Sequence, residues 1–451
     1  MKTEFHYIFS FIKYINPNWY YNLKSKKDVP YWIDYNKLGD SDKELINYDI
    51  GYSSEHVSLL DAAYQAWAKG IVLFDDSVKL EIEPDKIKVE DQYRFIRKYY
   101  NSIWSFYILI VRILSFHNPV SNFWGFMKNL KVEKEPVYSN YKKWTEVEMF
   151  NSTLIRENPL VSVIIPTLNR YKYLDDVLKD LEKQDYKNFE VIVCDQSEPV
   201  DESFYKNRKL DIKLIKQEEK ALWLARNRSI IESKGDYILL FDDDSRVESD
   251  WITNHLKCID YFTVEISSGV SLSTVGAKIP ANYSFYRWSD QIDTGNVLLH
   301  KDLFREVGLF DRQFEKQRMG DGEFGLRCYL AGLKNISNPD AKRVHLKVAT
   351  GGLRQMGSWD AFRPKKILSP RPIPSVLYLT RKYFGNSNAR KLLLISVPPS
   401  IIPYKFKSNR FLNVIGYLLT LFIFPLVLVQ VILSWRKASK MLKEGDKIEE
   451  L

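Results

Sequence analysis

A chain of 451 residues, 45% hydrophobic and 27% charged, is long enough for two or three folded regions with sizeable cores, and is neither a disordered polymer nor a bundle of membrane spans. Its formal charge of +9 is uneven: residues 361–443 hold fifteen Lys or Arg and no Asp or Glu. The three cysteines, Cys194, Cys258 and Cys328, lie far apart without CxxC spacing, which argues against a disulfide framework or a zinc site and fits a reducing compartment.

Residues 1–150 mix aromatic and charged residues without a clean period and carry no recognisable motif, so they are assigned as an accessory region. The opening MKTEFHYIFSFIKYINPNWYY is too polar, and too interrupted by Lys13, for a secretory signal; the cytosol is the expected compartment. Within this region IWSFYILIVRIL (103–114) is apolar enough for a helix, either interfacial or in the core of the accessory region. Arg112 and the short length argue against a membrane span. The crowding of Tyr and Trp in the first 150 residues hints at a wet–apolar boundary.

Residues 158–355 read as alternating strands and helices. VSVIIP (161–166) is a short apolar β-branched run ending in turn chemistry, and FEVIVC (189–194), KLIK around Leu214 and YILLF (237–241) read as the second, third and fourth strands. Leu174, Val177, Leu178 and Leu181 recur at helical spacing after the first, and Leu224, Ala225 and Ile231 mark a helix before the last. This order predicts an α/β fold with a doubly wound, mostly parallel sheet. The last region, 362–451, opens with Pro364, Pro370, Pro372 and Pro374. It contains 25 uncharged residues, 411–435, or about 37 Å as a single helix. Basic residues flank both ends of that stretch and Pro425 lies inside it, so a span and a kinked re-entrant helix are both open. An anionic membrane surface, and not nucleic acid, is therefore the expected partner of the basic block.

Ligands of a doubly wound sheet bind beyond the carboxyl ends of its strands. Three of those ends are polar: Thr167-Leu168-Asn169-Arg170, Asp195-Gln196-Ser197 and Asp242-Asp243-Asp244-Ser245. Three adjacent carboxylates repel one another, and a hard cation such as Mn²⁺ or Mg²⁺ relieves that repulsion and would bridge a diphosphate. An exposed acidic turn is the plain alternative, but a buried strand leads directly into this run. The stretch 320–325 spells GxGxxG, yet FEKQRM before it is no buried strand, so a dinucleotide fingerprint is rejected; GxxxxGK[ST] is absent.

PLVSVIIPTLNR, FEVIVCDQS, ALWLARNRSIIESKGDYILLFDDDS, TGNVLLHKDLFREVGLFD and GDGEFGLRCYLAG, in that order, resemble the family 2 glycosyltransferases, which are inverting enzymes of the glycosyltransferase A-type fold. The resemblance runs from Pro159 to His345. It implies a nucleotide pocket lined by Thr167, Asn169, Arg170, Asp195 and Asp243, with Asp195 on the base and Asp243 near the ribose. It implies metal ligation by Asp242, Asp244 and His345, with Mn²⁺ or Mg²⁺ as cofactor. Asp321 falls at the general base, although Gly320 stands where the family has Glu and Glu323 is a competitor; Gln196 replaces an acid the family often has. A helix cap is the alternative role for Asp321, and a satisfied loop residue the alternative for His345. The resemblance also puts Gly295-Asn296 beside the acceptor cleft. Trp251 and Trp288 could stack on sugar faces or pack in the core. ATGGLRQMGSWD could close over the donor with Arg354 on a phosphate, or be a surface loop.

A processive synthase would carry several spans and a QxxRW motif, a nucleotidyltransferase would need a basic Gly-rich loop after the first strand, and intact Asp195, Asp242, Asp244 and Asp321 argue against decay; a decayed membrane scaffold of a glycan-assembly complex and a nucleotidyltransferase are the alternatives. The expectation is transfer of one sugar from a nucleotide-sugar donor to a lipid-linked or glycan acceptor, at the cytoplasmic side of the inner membrane.

Overall fold

A computed structural model describes residues 3–83, 87–273, 279–348, 351–353, 360–364, 366–403, 406 and 409–451. The chain divides into two compact units, Met1–Lys143 with Thr380–Phe422, and Trp144–Leu379 with Ile423–Leu451.

The first unit is helical. Its helices include α1 (Glu55–Ala68), α2 (Val89–Tyr99), α3 (Ser102–Leu114) and α4 (Pro119–Lys128), of which α1, α3 and α4 begin at capping residues. Ser54 caps α1 by accepting from Val57 N, Asn101 and Asn118 cap α3 and α4, and Pro119 sits at the first position of α4, where its missing N–H costs nothing. The aromatics of the first hundred residues are mostly core. Trp19, Tyr21 and Trp32 gather around Trp67, with Trp19 and Tyr21 centroids 5.1 and 5.0 Å from it. Beside them Asp61 is fully buried and satisfied: it accepts from Lys98 Nζ (2.6 Å), Tyr52 OH (2.7 Å) and Tyr99 OH (2.8 Å).

The second unit is built on a nine-stranded sheet: β1 (Val161–Thr167), β2 (Phe189–Asp195), β3 (Ile212–Lys216), β4 (Tyr237–Phe241), β5 (Ser245–Val247), β6 (Ile266–Ser273), β7 (Arg287–Trp288), β8 (Asn296–His300) and β9 (Asn335–His345). The order is β3-β2-β1-β4-β8-β6-β9-β5, with β7 on β9. The four strands expected from the sequence pair in parallel as anticipated. The sheet as a whole is mixed and not mostly parallel. Strand β8 inserts between β4 and β6 and runs against both, β5 and β7 run against β9, and β6 and β9 are parallel. Strands β5 and β7 span three and two residues, too few for their direction to register in a hydrophobic pattern.

Helix α5 (Tyr171–Glu182) presents Leu174, Val177, Leu178 and Leu181 to the sheet, all fully buried, each contributing roughly 1.5–3 kcal/mol of gross burial. Helix α6 (Leu222–Glu232) turns a different face inward than expected: Trp223, Ala225, Arg226 and Ile230 are buried while Ile231 is exposed. Trp251, at the start of α7 (Trp251–Phe262), and Trp288 are core residues and not sugar platforms. Trp251 packs on Phe241 at 4.4 Å and donates to Asn296 Oδ1 (2.8 Å). Asn296 itself is buried, its amide NH₂ donating to the carbonyls of Val270 and Ala341.

Past α8 (Gly320–Ala331), the C-terminal helices are α9 (Pro374–Ser396), broken at Gly385 where φ is +76°, α10 (Arg410–Phe422) and α11 (Phe424–Glu444). The apolar stretch 411–435 is thus two helices and not one. Pro425 lies at the start of α11, where a proline cannot continue the preceding ladder. Among the described residues no single helix is long and apolar enough to cross a membrane, although α10 and α11 together meet that test. The tail beyond α11 folds onto the segment ahead of α8: Leu309 N donates to Glu449 O (2.8 Å) and Lys447 N to Asp311 Oδ1 (2.9 Å).

Candidate active site

Sheet register assembles the site. Thr167 and Asp195 are paired neighbours at the ends of β1 and β2, β4 delivers Asp242, Asp243 and Asp244, and Ser245 of β5 pairs with His345 of β9. The strand ends chosen from sequence, and a histidine distant in sequence, therefore meet at one edge.

Asp242, Asp244 and His345 each offer a ligand atom, and these atoms lie within 4.8 Å of one another. His345 Nε2 is 3.3 Å from Asp244 Oδ1. Two carboxylates and an imidazole form a donor set that suits Mn²⁺, and Mg²⁺ through the oxygens. Burial opposes ionisation of Asp244, but the hydrogen bond from His345 and the charges of His345 and Arg170 outweigh it and hold its carboxyl below the usual range. Arg170 bridges Asp243 Oδ1 (2.9 Å) and Asp244 Oδ2 (3.1 Å) through Nη1. Asp243 also accepts from Thr167 Oγ1 (2.8 Å); its burial pushes it up to about 6 in spite of Arg170.

The sequence reading missed the cations behind the first acid. Arg226 Nη2 donates to Asp242 Oδ1 (2.9 Å) and Arg343 Nη1 to Oδ2 (2.8 Å), while Arg343 Nη2 also grips Asp293 (2.9 and 3.1 Å). Both arginines are almost wholly buried. The two acids on Arg343 raise its own pKa further, and Asp293 drops to about 2 because Arg343 outweighs the cost of its desolvation. A Cβ at Gly295 would collide with the Arg343 guanidinium and the Asp242 carboxylate, so glycine is required there for close packing. The LARNRS and KRVH stretches were visible, but nothing in one sequence marks an arginine as a carboxylate's partner.

Asp195 is fully buried and accepts from Tyr171 OH (2.8 Å), Tyr205 OH (2.7 Å) and Ser197 N (2.9 Å). The two tyrosines were also missed. Asn169 adopts φ +53°, a left-handed turn that an Asn tolerates, and its N–H donates to Ser197 Oγ (2.8 Å). Gly352 returns across this loop, donating to Leu168 O (2.8 Å); a Cβ there would strike Arg170. Arg354 lies outside the described residues.

Asp321 sits in the first turn of α8 and lines a pocket of about 320 Å³ together with His345, Asp293, Arg318, Arg343 and Lys347. The structure thus brings the candidate base and a candidate metal ligand to one cavity. Glu323 is fully buried, and both its oxygens are held by Arg327 Nε (3.0 and 2.9 Å), which removes it as a competitor. Gly320 has a steric cause: a Cβ would overlap the Trp223 indole, so the glutamate expected from the resemblance has no room.

Residues 162–288 match the sequence model of Glycosyl transferase family 2. The chain is 25% identical over 169 residues to Glycosyltransferase GlyA of Streptococcus pneumoniae, covering 35% of this chain and 22% of that protein. It is 28% identical over 186 residues to the chondroitin synthase of Escherichia coli, covering 38% and 26%. It is 30% identical over 97 residues to the GalNAc(5)-diNAcBac-PP-undecaprenol beta-1,3-glucosyltransferase of Campylobacter jejuni, covering 20% and 31%. The chain therefore spans less than a third of the length of these relatives. Among solved structures, Staphylococcus aureus TarS 1–349 in complex with UDP-GlcNAc superposes with a TM-score of 0.41 at 16% identity, covering 63% of this chain and 92% of that one.

Proposed function

We propose that this chain, whose segment 162–288 matches glycosyl transferase family 2, transfers a single sugar with inversion from a nucleotide-diphosphate donor to a membrane-associated glycan or lipid-linked acceptor. The observation that carries the reading is the meeting of an Asp–Asp–His donor set with a pocket that Asp321 lines.

Mn²⁺ or Mg²⁺ held by Asp242, Asp244 and His345 would neutralise the diphosphate leaving group. The chain's own residues do the rest. Thr167, Asn169, Arg170 and Asp243 form the floor under the nucleotide, with Arg170 clamping two acids in register. An ionised carboxylate has about four acceptor positions. Three are filled at Asp195, which leaves one for a nucleobase N–H. Asp321 accepts the proton of the acceptor hydroxyl as its oxygen attacks the anomeric carbon, and no separate acid is needed.

The lipid-linked acceptor rests on two supports. One is the basic, apolar C-terminal region; the other is the undecaprenol-diphosphate-linked substrate in the name of the Campylobacter jejuni relative. Location at the cytoplasmic side of the inner membrane follows from the same reading. The test is nucleoside diphosphate release from UDP-, GDP- and dTDP-sugars in the presence of the host's membranes, with and without EDTA. EDTA-sensitive release from one donor class supports the reading; no release from any donor sinks it in favour of a scaffold.

A further inference from the structure

Helices α3 and α4 of the first unit leave much of their apolar surface exposed. Helix α3 buries Ser105 with Ile108 and Leu109, and Arg112 turns inward, donating to Asn122 Oδ1 (2.5 Å) and lying over the Phe11 ring at 4.5 Å. Helix α4 buries Asn122 and Gly125, and a Cβ at Gly125 would press on Tyr93 and the backbone of Glu90. Other large apolar residues of both helices face outward. Ile103, Phe106, Ile110 and Ile113 form an exposed stripe at helical spacing on α3, and Val120, Phe123, Trp124 and Met127 form another on α4. Helix α10, in the same unit, exposes a third stripe through Phe411, Val414, Leu418 and Leu421.

Phe116, at the tip between α3 and α4, is the sharpest case. It is 99% exposed and holds φ +58°, at the left-handed position after a helix where glycine is usual. A phenylalanine there is strained and contributes no burial within the folded chain. Charge follows the same division. The first unit holds 27 Lys and Arg against 18 Asp and Glu, which is the whole +9 of the chain, and the second unit balances at 39 of each. Residues 101–132 include Arg112, Lys128 and Lys131 and no acid.

We infer that the α3–α4 hairpin docks on an anionic lipid bilayer, with Phe116 and the two apolar stripes entering the acyl boundary and the unit's positive charge facing the headgroups. This extends the membrane-associated reading above and rests on it only for where the acceptor lies. An aromatic tip, apolar helix faces and an acid-free basic surround are what an interfacial anchor needs. A second copy of so positive a unit would meet like charge.

The test uses the full chain. Phe116→Gly relieves the strained turn and Trp124→Ser alters an exposed side chain, so the double variant keeps its fold. Partition onto phosphatidylcholine vesicles containing phosphatidylglycerol is expected to fall about tenfold or more relative to the unchanged chain, while nucleotide binding with Mn²⁺ stays the same. A dye on Phe116→Cys, selective because Cys194, Cys258 and Cys328 are buried, should brighten on those vesicles and not on pure phosphatidylcholine. Equal partition of the variant and the unchanged chain overturns the inference. So does a dimer in solution that the double variant dissolves, which would make a second copy the occupant. Absence of nucleotide binding in both proteins would defeat the transferase reading and leave the vesicle result standing.

Discussion

His345 Nε2 lies 3.3 Å from Asp244 Oδ1 because β5 and β9 pair Ser245 with His345, placing the histidine beside the acid that precedes β5. The register, more than the Asp run itself, brings an imidazole to the carboxylates at the end of β4.

Removing that pairing should remove the metal. Asp244→Ala is expected to lower turnover by about 10³-fold, as for loss of one preorganised electrostatic group. His345→Ala should weaken Mn²⁺ by on the order of 10–100-fold. Circular dichroism of both variants should match the unchanged chain, and an Mn²⁺ titration of activity separates the two effects.

Asp321→Asn should cut kcat by roughly 10²–10⁴-fold and leave nucleotide affinity unchanged, the signature of a lost general base. Glu323→Gln should behave in the opposite way. It breaks the buried pair with Arg327 and is expected to destabilise the fold by about 3 kcal/mol, read as a lower Tm. If the kcat loss fell on Glu323 and not on Asp321, the assignment of the base would be reversed.

Gly320→Glu restores the residue the family pattern expects. The Trp223 indole occupies the space, so this change is expected to cost about 1–3 kcal/mol and to give no gain in rate. Thermal denaturation with parallel assays checks it.

His255 gives a pH dependence of stability. It is fully buried, with Nδ1 2.9 Å from Ser267 Oγ and Nε2 3.1 Å from Asn296 Oδ1; the amide oxygen can only accept, so Nε2 carries the proton. Burial lowers its pKa from 6.5 to about 4. The unfolded chain therefore binds a proton between these values that the folded chain does not. Stability is full above pH 6.5, declines as pH falls and levels off near pH 4, a loss of about 3 kcal/mol. Urea denaturation at pH 7 and pH 4.5 should show this slope, reduced in His255→Gln.

The legible parts of this molecule were those with a period. Strands β1, β2 and β4 are largely apolar runs, β3 follows as the short IKLIK, and α5 carries a clean stripe, so the parallel half of the sheet and the polar residues at its ends could be read directly. Strands β5 and β7 are too short to show a pattern, and β8 reveals its direction only once β6 and β9 are beside it. Arg226, Arg343 and Asp293 escaped because an ion pair between distant positions leaves no local trace. The break at Ile423 was foreshadowed by Pro425, whereas the outward-facing stripes of α3 and α4 could not be told from inward ones by spacing alone.

The central claim is a metal-dependent donor site at Asp242, Asp244 and His345. Isothermal titration with UDP, GDP, dTDP and CDP, with and without Mn²⁺, tests it most directly. One nucleotide should bind tightly only when Mn²⁺ is present, and Asp244→Ala should abolish that dependence. Binding of equal strength without metal, or unchanged metal dependence in Asp244→Ala, would contradict the claim.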